Sequence, residues 1–406
     1  MRITLMSLGS RGDVQPFAAL GTGLARRGHD VLVASAESAR SFVEGAGLAF
    51  APLTDSIGGE LFELPGVAQA IRRGGSTVDV AMALPPQTEE AAVRKHASMA
   101  EACEGADVVV TAPTTYTAAF TGTKAKWVAA AWTPNTPTAA FPAWGAPSGV
   151  DNLTGYALAH QAEWDVFRGP LDRYRAAQGL PPAGTRSPLT TLGHDVPVLY
   201  PVSPVVIPPP GDWPPRCHVT GYWFWDRPSW TPDERLAAFL ARPGAPVVAT
   251  FGSLWPVHDQ RRVLAILAEA AARVGRDLVL VGGPAQDLPD HVHQAGESDY
   301  RALFPQAAAI VHHAGCGTTA AALRAGVPQV PVPMFADNAF WARRAVELGV
   351  ASAPLPLASL SVDALAAALA GVLSDGAMAR RAGDISAEMA DEDGVSTACD
   401  LIEELW

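Results

Sequence analysis

The stretch 308–338, AAIVHHAGCGTTAAALRAGVPQVPVPMFADN, decides how this chain is read. Ala308 to Val311 is a short apolar run that ends in His312 and His313. It passes through Gly315-Cys316-Gly317 into Thr318, Thr319 and an alanine-rich helical pattern, so the order is strand, glycine turn, helix N-terminus. The unpaired N–H groups and positive dipole end of such a helix favour an anion, and glycines let the backbone approach it closely. A phosphate fits there, with the Cys316 backbone N–H as one donor and His313 adding a hydrogen bond or charge. Gly326-Val327-Pro328 closes the helix, a strand runs from Gln329 to Pro333, and Ala336-Asp337-Asn338 opens another helix. Asp337 then projects at the carboxyl edge of a sheet, where open α/β sheets bind ligands. A lone His at a strand end is more often structural, and glycines alone are turn residues. The two together, with a polar pair at the next strand end, favour the ligand reading.

A second loop of the same kind lies near the amino terminus. Ile3 to Leu8 reads as a buried strand, followed by Gly9-Ser10-Arg11-Gly12-Asp13-Val14-Gln15-Pro16 and a helical pattern through Arg27 that Gly28-His29 ends. The loop lacks the third glycine of a dinucleotide fingerprint, and only Glu37 follows the second strand, Val31 to Ser35, as an acid. From the residues alone Asp13 is open between a helix cap and a general base. Further strands are expected at Leu48–Leu53, Asp107–Ala112, Trp127–Trp132, Val196–Val202, His218–Tyr222, Val247–Phe251 and Leu278–Val281. Helical patterns between them, including a long one from Asp151 to Gln178, argue parallel sheets with helices on both faces. The stretches 54–86 and 133–150 are rich in glycine, proline and threonine and read as loops, the latter with Phe141 and Trp144.

Composition bounds the rest. A chain of 406 residues exceeds what one core usually holds, so two domains are expected. Hydrophobic residues make up 49% and charged residues 17%, which suits a packed α/β enzyme. A net charge of −12 without a basic patch disfavours a nucleic-acid binder. Cys103, Cys217, Cys316 and Cys399 show neither CxxC nor metal spacing, so reduced thiols in a cytoplasm are expected. No apolar stretch reaches about 18 residues unbroken, so no integral membrane segment is expected.

HHAGCGTT, ALRAGVPQVPVP and the ADN after them resemble the donor-binding segment of family 1 glycosyltransferases with the GT-B fold, in particular the bacterial vancomycin-type antibiotic and sterol glycosyltransferases. GSRGDVQP is similar to the first loop of those enzymes, where plant relatives carry a His in a GHxxP pattern. The resemblance spans essentially the whole chain. It implies two Rossmann-like parallel-sheet domains facing each other across a cleft: 1–222 for the acceptor, a linker at 223–232 (WFWDRPSWTP), and 233–406 for the nucleotide sugar, the last helix crossing back to the first domain. It also implies an inverting hexosyltransferase that needs no metal or other cofactor. A UDP- or dTDP-sugar serves as co-substrate, and the acceptor is a small hydrophobic or aromatic molecule such as a natural-product aglycone or a sterol.

By the same resemblance Asp13 is the general base that deprotonates the acceptor hydroxyl. Ser10, Arg11, Gly12, Ser253, His313, Gly315, Cys316, Gly317, Thr318, Asp337 and Asn338 hold the donor. Arg11 either aids the leaving diphosphate or braces its loop. Ser253 lies in a Gly252-Ser253 turn near the phosphates, and here Trp255 follows where smaller residues are common. The family usually carries Asp-Gln where this chain has Asp337-Asn338. GESDYRALFPQ, before the histidines, is similar to the segment that packs by the base, and aromatics in the amino-terminal loops could stack on a flat aglycone. Asp391-Glu392-Asp393 is a DxD of the kind that holds a metal in a different glycosyltransferase fold; before a terminal helical pattern it reads as a helix cap. The rivals are a sugar-nucleotide epimerase of the same fold and a non-catalytic helper protein.

Overall fold

The computed structural model describes the chain except residues 55–63, 74–76, 86–87, 144–145, 147–148, 228, 258, 284–287, 336 and 406. Trp144 and Ala336 therefore lie outside the described residues, as do the glycines at 58, 59, 74 and 75. The chain forms two compact units. Met1–Leu61, Ala81–Trp225 and Glu392–Trp406 make the first; Phe62–Val80 and Asp226–Asp391 make the second.

The first unit holds β1 (Arg2–Met6), β2 (Asp30–Ser35), β3 (Ala49–Pro52), β4 (Val108–Thr111), β5 (Lys126–Ala130), β6 (Val198–Tyr200) and β7 (Cys217–Val219). All pairs are parallel and the order is β3-β2-β1-β4-β5-β6-β7. Near-continuous apolar runs such as Val108-Val109-Val110 suit strands covered on both faces. Ile3, Leu5, Val33, Val108 and Val128 point into one core with Phe17, Leu20 and Leu24 of the helix Arg11–Arg26. The helix Gly394–Glu404 completes that core with Ala398, Cys399 and Ile402. It lies so close to the first helix that a Cβ on Gly23 would stand 2.5 Å from a Val395 methyl. Arg27 and His29 tie it down at the surface through Glu403, which gives His29 a structural partner.

The second unit holds β8 (Val247–Thr250), β9 (Leu278–Val281), β10 (Val292–Ala295), β11 (Ala309–His312) and β12 (Gln329–Pro331), again parallel, in the order β10-β9-β8-β11-β12. The strand β10 is not expected from the sequence, because His293 and Gln294 interrupt its apolar pattern at the sheet edge. Residues 62–80, which the sequence places with the amino-terminal half, pack in the second unit. Their helix Pro65–Arg72 turns Val67, Ala68 and Ile71 inward, one face at helical spacing. The aperiodic stretch 223–232 is anchored by tryptophans. Trp223 is 3% exposed and Trp225 packs beside it on the first core, whereas Trp230 lies on the second. Asp226 pairs with Arg301 and Arg324.

Among the described residues no single helix is long and apolar enough to cross a membrane.

Candidate active site

Each sheet reverses its winding once, and the two loops singled out above sit at those reversals. In the first unit β1 lies between β2 and β4, so the loop after β1 opens at the carboxyl edge where open α/β sheets leave a crevice. Ser10 is the N-cap of the helix Arg11–Arg26 and Asp13 is its third residue. One carboxylate oxygen of Asp13, Oδ2, accepts from the Ser10 N–H at 2.7 Å and from its Oγ–H at 3.0 Å, so the carboxylate reaches back to the N-cap as the acid of a capping box does. Gly9, at φ 149°, passes directly beneath this carboxylate; a Cβ there would stand 2.3 Å from Oδ2.

Asp13 is half-buried, and burial raises its carboxyl above the ordinary range against the opposing pull of hydrogen bonds from Ser10 and from the Trp132 side chain. Trp132, two residues past the end of β5, is fixed edge-on against Phe17 (5.6 Å) and Trp223 (6.5 Å). A carboxylate that is desolvated yet still aligned by donors is a stronger proton acceptor than one in water. Arg11 is exposed; its guanidinium lies 4.7 Å from the centre of the Phe42 ring and its Nε donates to Gln15. That arrangement braces the loop. Gly12 is exposed on the first turn.

In the second unit the reversal falls between β8 and β11. The register sets Thr250 beside His312 and His312 beside Pro331, so the turns after β8, β11 and β12 emerge together. These turns carry Ser253, the His313–Thr318 loop and the Asp337–Asn338 pair. The His313 ring is held between glycines: a Cβ would stand 2.4 Å from Nε2 if placed on Gly315 and 3.4 Å from Cε1 if placed on Gly252, which has φ 53°. Burial pushes the His313 imidazole down to about 4. The Thr250 carbonyl bears on the ring, but Nδ1 makes no hydrogen bond of ordinary geometry. At neutral pH His313 is therefore an uncharged imidazole.

Gly315 is the N-cap of the helix Cys316–Ala325, whose first internal bond is Thr319 N–H to the Gly315 carbonyl at 2.9 Å. The first turn of the helix thus points its N–H groups toward the loop that carries His313. The turn is strained, since Ala314 has φ 62°, and it is the non-glycine residue with positive φ among those described. Such a conformation costs about 1–2 kcal/mol. His312 holds it in place: its Nδ1 accepts the Ala314 N–H at 3.0 Å and its Nε2–H donates to the Gln329 Oε1 at 2.9 Å. Both residues are fully buried, and burial lowers the His312 imidazole to about 3, which fixes the neutral tautomer this pair of bonds requires.

Ser253 is exposed in the one-turn helix Gly252–Val257, while Trp255 is buried and packs over Gly282 and Gly283. Asp337 stands at the N-terminus of the helix Asn338–Glu347 without a side-chain capping bond, and its Oδ2 accepts from the Trp341 Nε1–H at 2.7 Å. Asn338 is 4% exposed and its Oδ1 accepts the backbone N–H groups of Met334 and Phe335 at 3.3 and 3.1 Å. Its oxygen is turned into its own loop instead of being held ready for a ligand hydroxyl. Asp393 caps the last helix by accepting the Ser396 N–H, and Glu392 between the two aspartates accepts the Ser203 hydroxyl.

The sequence reading missed Trp132, the His312–Gln329 pair and Trp341. Trp341 lies four residues after Asp337 on one helix and was within reach of i, i+4 reasoning. Trp132 and Gln329 meet their partners only across a sheet.

Comparison with known proteins follows the same division. Residues 3–113 match the glycosyltransferase family 28 N-terminal domain, and residues 267–404 match the C-terminal domain of erythromycin biosynthesis protein CIII-like proteins. The chain is 46% identical over 411 residues to O-mycaminosyltylonolide 6-deoxyallosyltransferase of Streptomyces fradiae, covering 100% of this chain and 97% of that protein. It is 32% identical to a sterol 3-beta-glucosyltransferase of Cryptococcus neoformans, covering 99% of this chain and 27% of that much longer protein. Among solved structures, the glycotransferase of kitacinnamycin superposes with a TM-score of 0.72 at 22% identity, over 99% of this chain and 98% of that one, which establishes the shared fold.

Proposed function

The chain belongs to the family 1 glycosyltransferases of GT-B fold, and from that membership we propose an inverting enzyme that moves a hexose from UDP or dTDP to a hydroxyl of a small hydrophobic acceptor. The first unit takes the acceptor, a natural-product aglycone or a sterol, and the second takes the nucleotide sugar. The observation that carries this reading is the Asp13 carboxylate: half-buried at the winding reversal of the first sheet, raised by burial, and aligned by Ser10 and Trp132. An alcohol attacking an anomeric carbon must lose its proton as it does so, and one positioned carboxylate supplies that step. A single displacement, with the diphosphate leaving from the opposite face, inverts the anomeric centre.

In the second unit, the N–H groups that open the helix Cys316–Ala325 receive the diphosphate at its positive dipole end, with His313 donating one further hydrogen bond. Ser253 approaches the same phosphates. Asp337 accepts from sugar hydroxyls, and Asn338 reaches the sugar through its amide N–H, since its oxygen serves the loop. Ser10 and Gly12 shape the loop around the base, and Arg11 braces it. Catalysis proceeds without a metal or other cofactor.

The test is incubation with UDP- and dTDP-hexoses and a panel of macrolactone and sterol acceptors, with the product followed by mass spectrometry and its anomeric configuration read by NMR. A product of inverted configuration is expected. Retention of configuration overturns the single displacement, and hydrolysis of donor without transfer to any acceptor overturns the acceptor class.

A further inference from the structure

Beside the Asp13 loop, in the same unit, the chain leaving β4 is clamped onto the end of β1. Thr114 Oγ1 donates to the Leu8 carbonyl at 2.6 Å and accepts the Leu8 N–H at 3.2 Å, and Thr115 Oγ1 donates to the Met6 carbonyl at 2.7 Å. Tyr116 comes next, so it stands at the carboxyl edge of the sheet next to the proposed base. Over it lies the long helix Asn152–Ala177, whose Trp164 and Phe167 rings meet the Tyr116 ring at 6.2 and 5.9 Å. A second connection joins this helix to Asp13. Trp132 bonds the Asp13 side chain, the Pro134 carbonyl accepts from the Tyr156 hydroxyl at 3.2 Å, and the Asn135 carbonyl bears on the His160 ring. From Trp132 to Asn135 the backbone can span at most about 11 Å, so the helix face lies within one small molecule's length of the base.

Among the described residues, polar atoms of three side chains here have no hydrogen-bond partner of ordinary geometry. The Tyr116 hydroxyl makes no hydrogen bond although the residue is 3% exposed, and neither does Nδ1 of His160, which is 4% exposed. Glu163, one turn beyond His160, is half-buried, and among the described residues its carboxyl has no hydrogen bond or ion pair. Burial alone pushes it up to about 7, and Tyr116 feels its charge directly. Among the described residues no ion pair balances it: His160 is held down to about 4 and stays neutral, and Arg168 on the same helix is engaged by Asp165 and Asp172. An unpaired acid with a raised pKa, accessible beside two buried and unsatisfied polar atoms, is a candidate ligand contact.

We infer that Glu163, flanked by Tyr116 and His160, is a subsite for a protonated amine on the acceptor. The inference rests on the reading of the first unit as the acceptor-binding one. An alkylammonium matches the site on two counts. It supplies the counter-charge that Glu163 lacks, and its alkyl groups suit the aromatic surroundings in which Tyr116 packs with Phe167. A neutral acceptor leaves the acid uncompensated, so the site selects for basic nitrogen. Glu163 is a specificity residue here and takes no proton in the transfer step.

The test uses two probes: a macrolactone glycoside bearing a dimethylamino sugar, and the same compound with that nitrogen replaced by a hydroxyl. Near neutral pH the wild type is expected to show the lower KM for the amine. Glu163→Gln, which removes the charge and keeps the shape, is expected to raise the KM for the amine by about tenfold or more, the value of one charge-assisted hydrogen bond, with kcat little changed. The KM for the hydroxyl analogue should stay or fall. Tyr116→Phe should weaken the amine probe selectively with its ring packing intact. Equal KM changes for both probes, an unchanged KM for the amine, or a kcat loss shared by both overturns the subsite while leaving the transferase reading standing. Transfer by the wild type to neither probe, although donor still raises its melting temperature, overturns the acceptor reading and the subsite with it.

Discussion

Replacing Asp13 by asparagine separates proton transfer from everything else this carboxylate does. Asparagine keeps the shape and an oxygen that can accept from the Ser10 N–H and Oγ–H, now at 2.7 and 3.0 Å, so the capping box survives. It cannot take a proton from an acceptor hydroxyl. General-base catalysis contributes about 10²–10⁴-fold, or roughly 2.7–5.4 kcal/mol of barrier, and turnover at saturating donor and acceptor should fall by that factor. Stability should not fall with it. The Asp13 pKa is raised in the folded protein, so above the folded-state value the charged group favours unfolding. That cost is absent below the unfolded pKa and fully present above the raised folded-state pKa. Neutral asparagine removes it, and the melting temperature at pH 7 should be unchanged or higher. In the wild type the acid limb of kcat/KM should lie above the ordinary carboxylate range, and in Asp13→Asn that limb should vanish. Donor affinity by calorimetry should be nearly unaltered, because the proposed donor groups of the second unit are untouched. Turnover within about tenfold of wild type, well short of the general-base range, would reduce Asp13 to a cap and refute the mechanism.

The glycine contacts give a paired prediction. Gly315→Ala drives a methyl to within 2.4 Å of the His313 Nε2 and should weaken donor binding, whereas Gly9→Ala displaces the Asp13 carboxylate and should cost turnover; the same kinetic defect in both variants would contradict the division of roles. His313→Ala should raise the donor Kd by roughly tenfold to a hundredfold, the value of a hydrogen bond to a charged group, with the melting temperature held; an unchanged Kd in calorimetry removes His313 from the phosphate. Asn338→Gln lengthens a side chain whose oxygen is fixed by the Met334 and Phe335 N–H groups, and should change the ranking of donor sugars. Identical rankings in a competition assay would show that this loop does not read the sugar.

The sequence by itself determined the local units: which runs are strands, where each glycine turn delivers a helix N-terminus, and which two loops carry chemistry. Those features depend on periodicity and on backbone conformations that only certain residues adopt, so they are legible one segment at a time. Family-level resemblance in the same two loops gave the GT-B architecture, and the two parallel sheets agree with it. The tertiary structure decided who meets whom. Strand order set the turn after β8 beside the His313 loop, which no local pattern specifies. Pairing across the sheet gave Asp13 its Trp132 and His312 its Gln329, and folding of one loop on itself claimed the Asn338 oxygen. Residues 62–80 carry an amphipathic helix in sequence, but only the available apolar surface decided that they would cover the second unit. Glu163 is an unremarkable acid on a long helix until partial burial raises its carboxyl, with no ion pair to it among the described residues. Desolvation and partner choice are sums over neighbours distant in the chain, and so they appear only when the chain has folded.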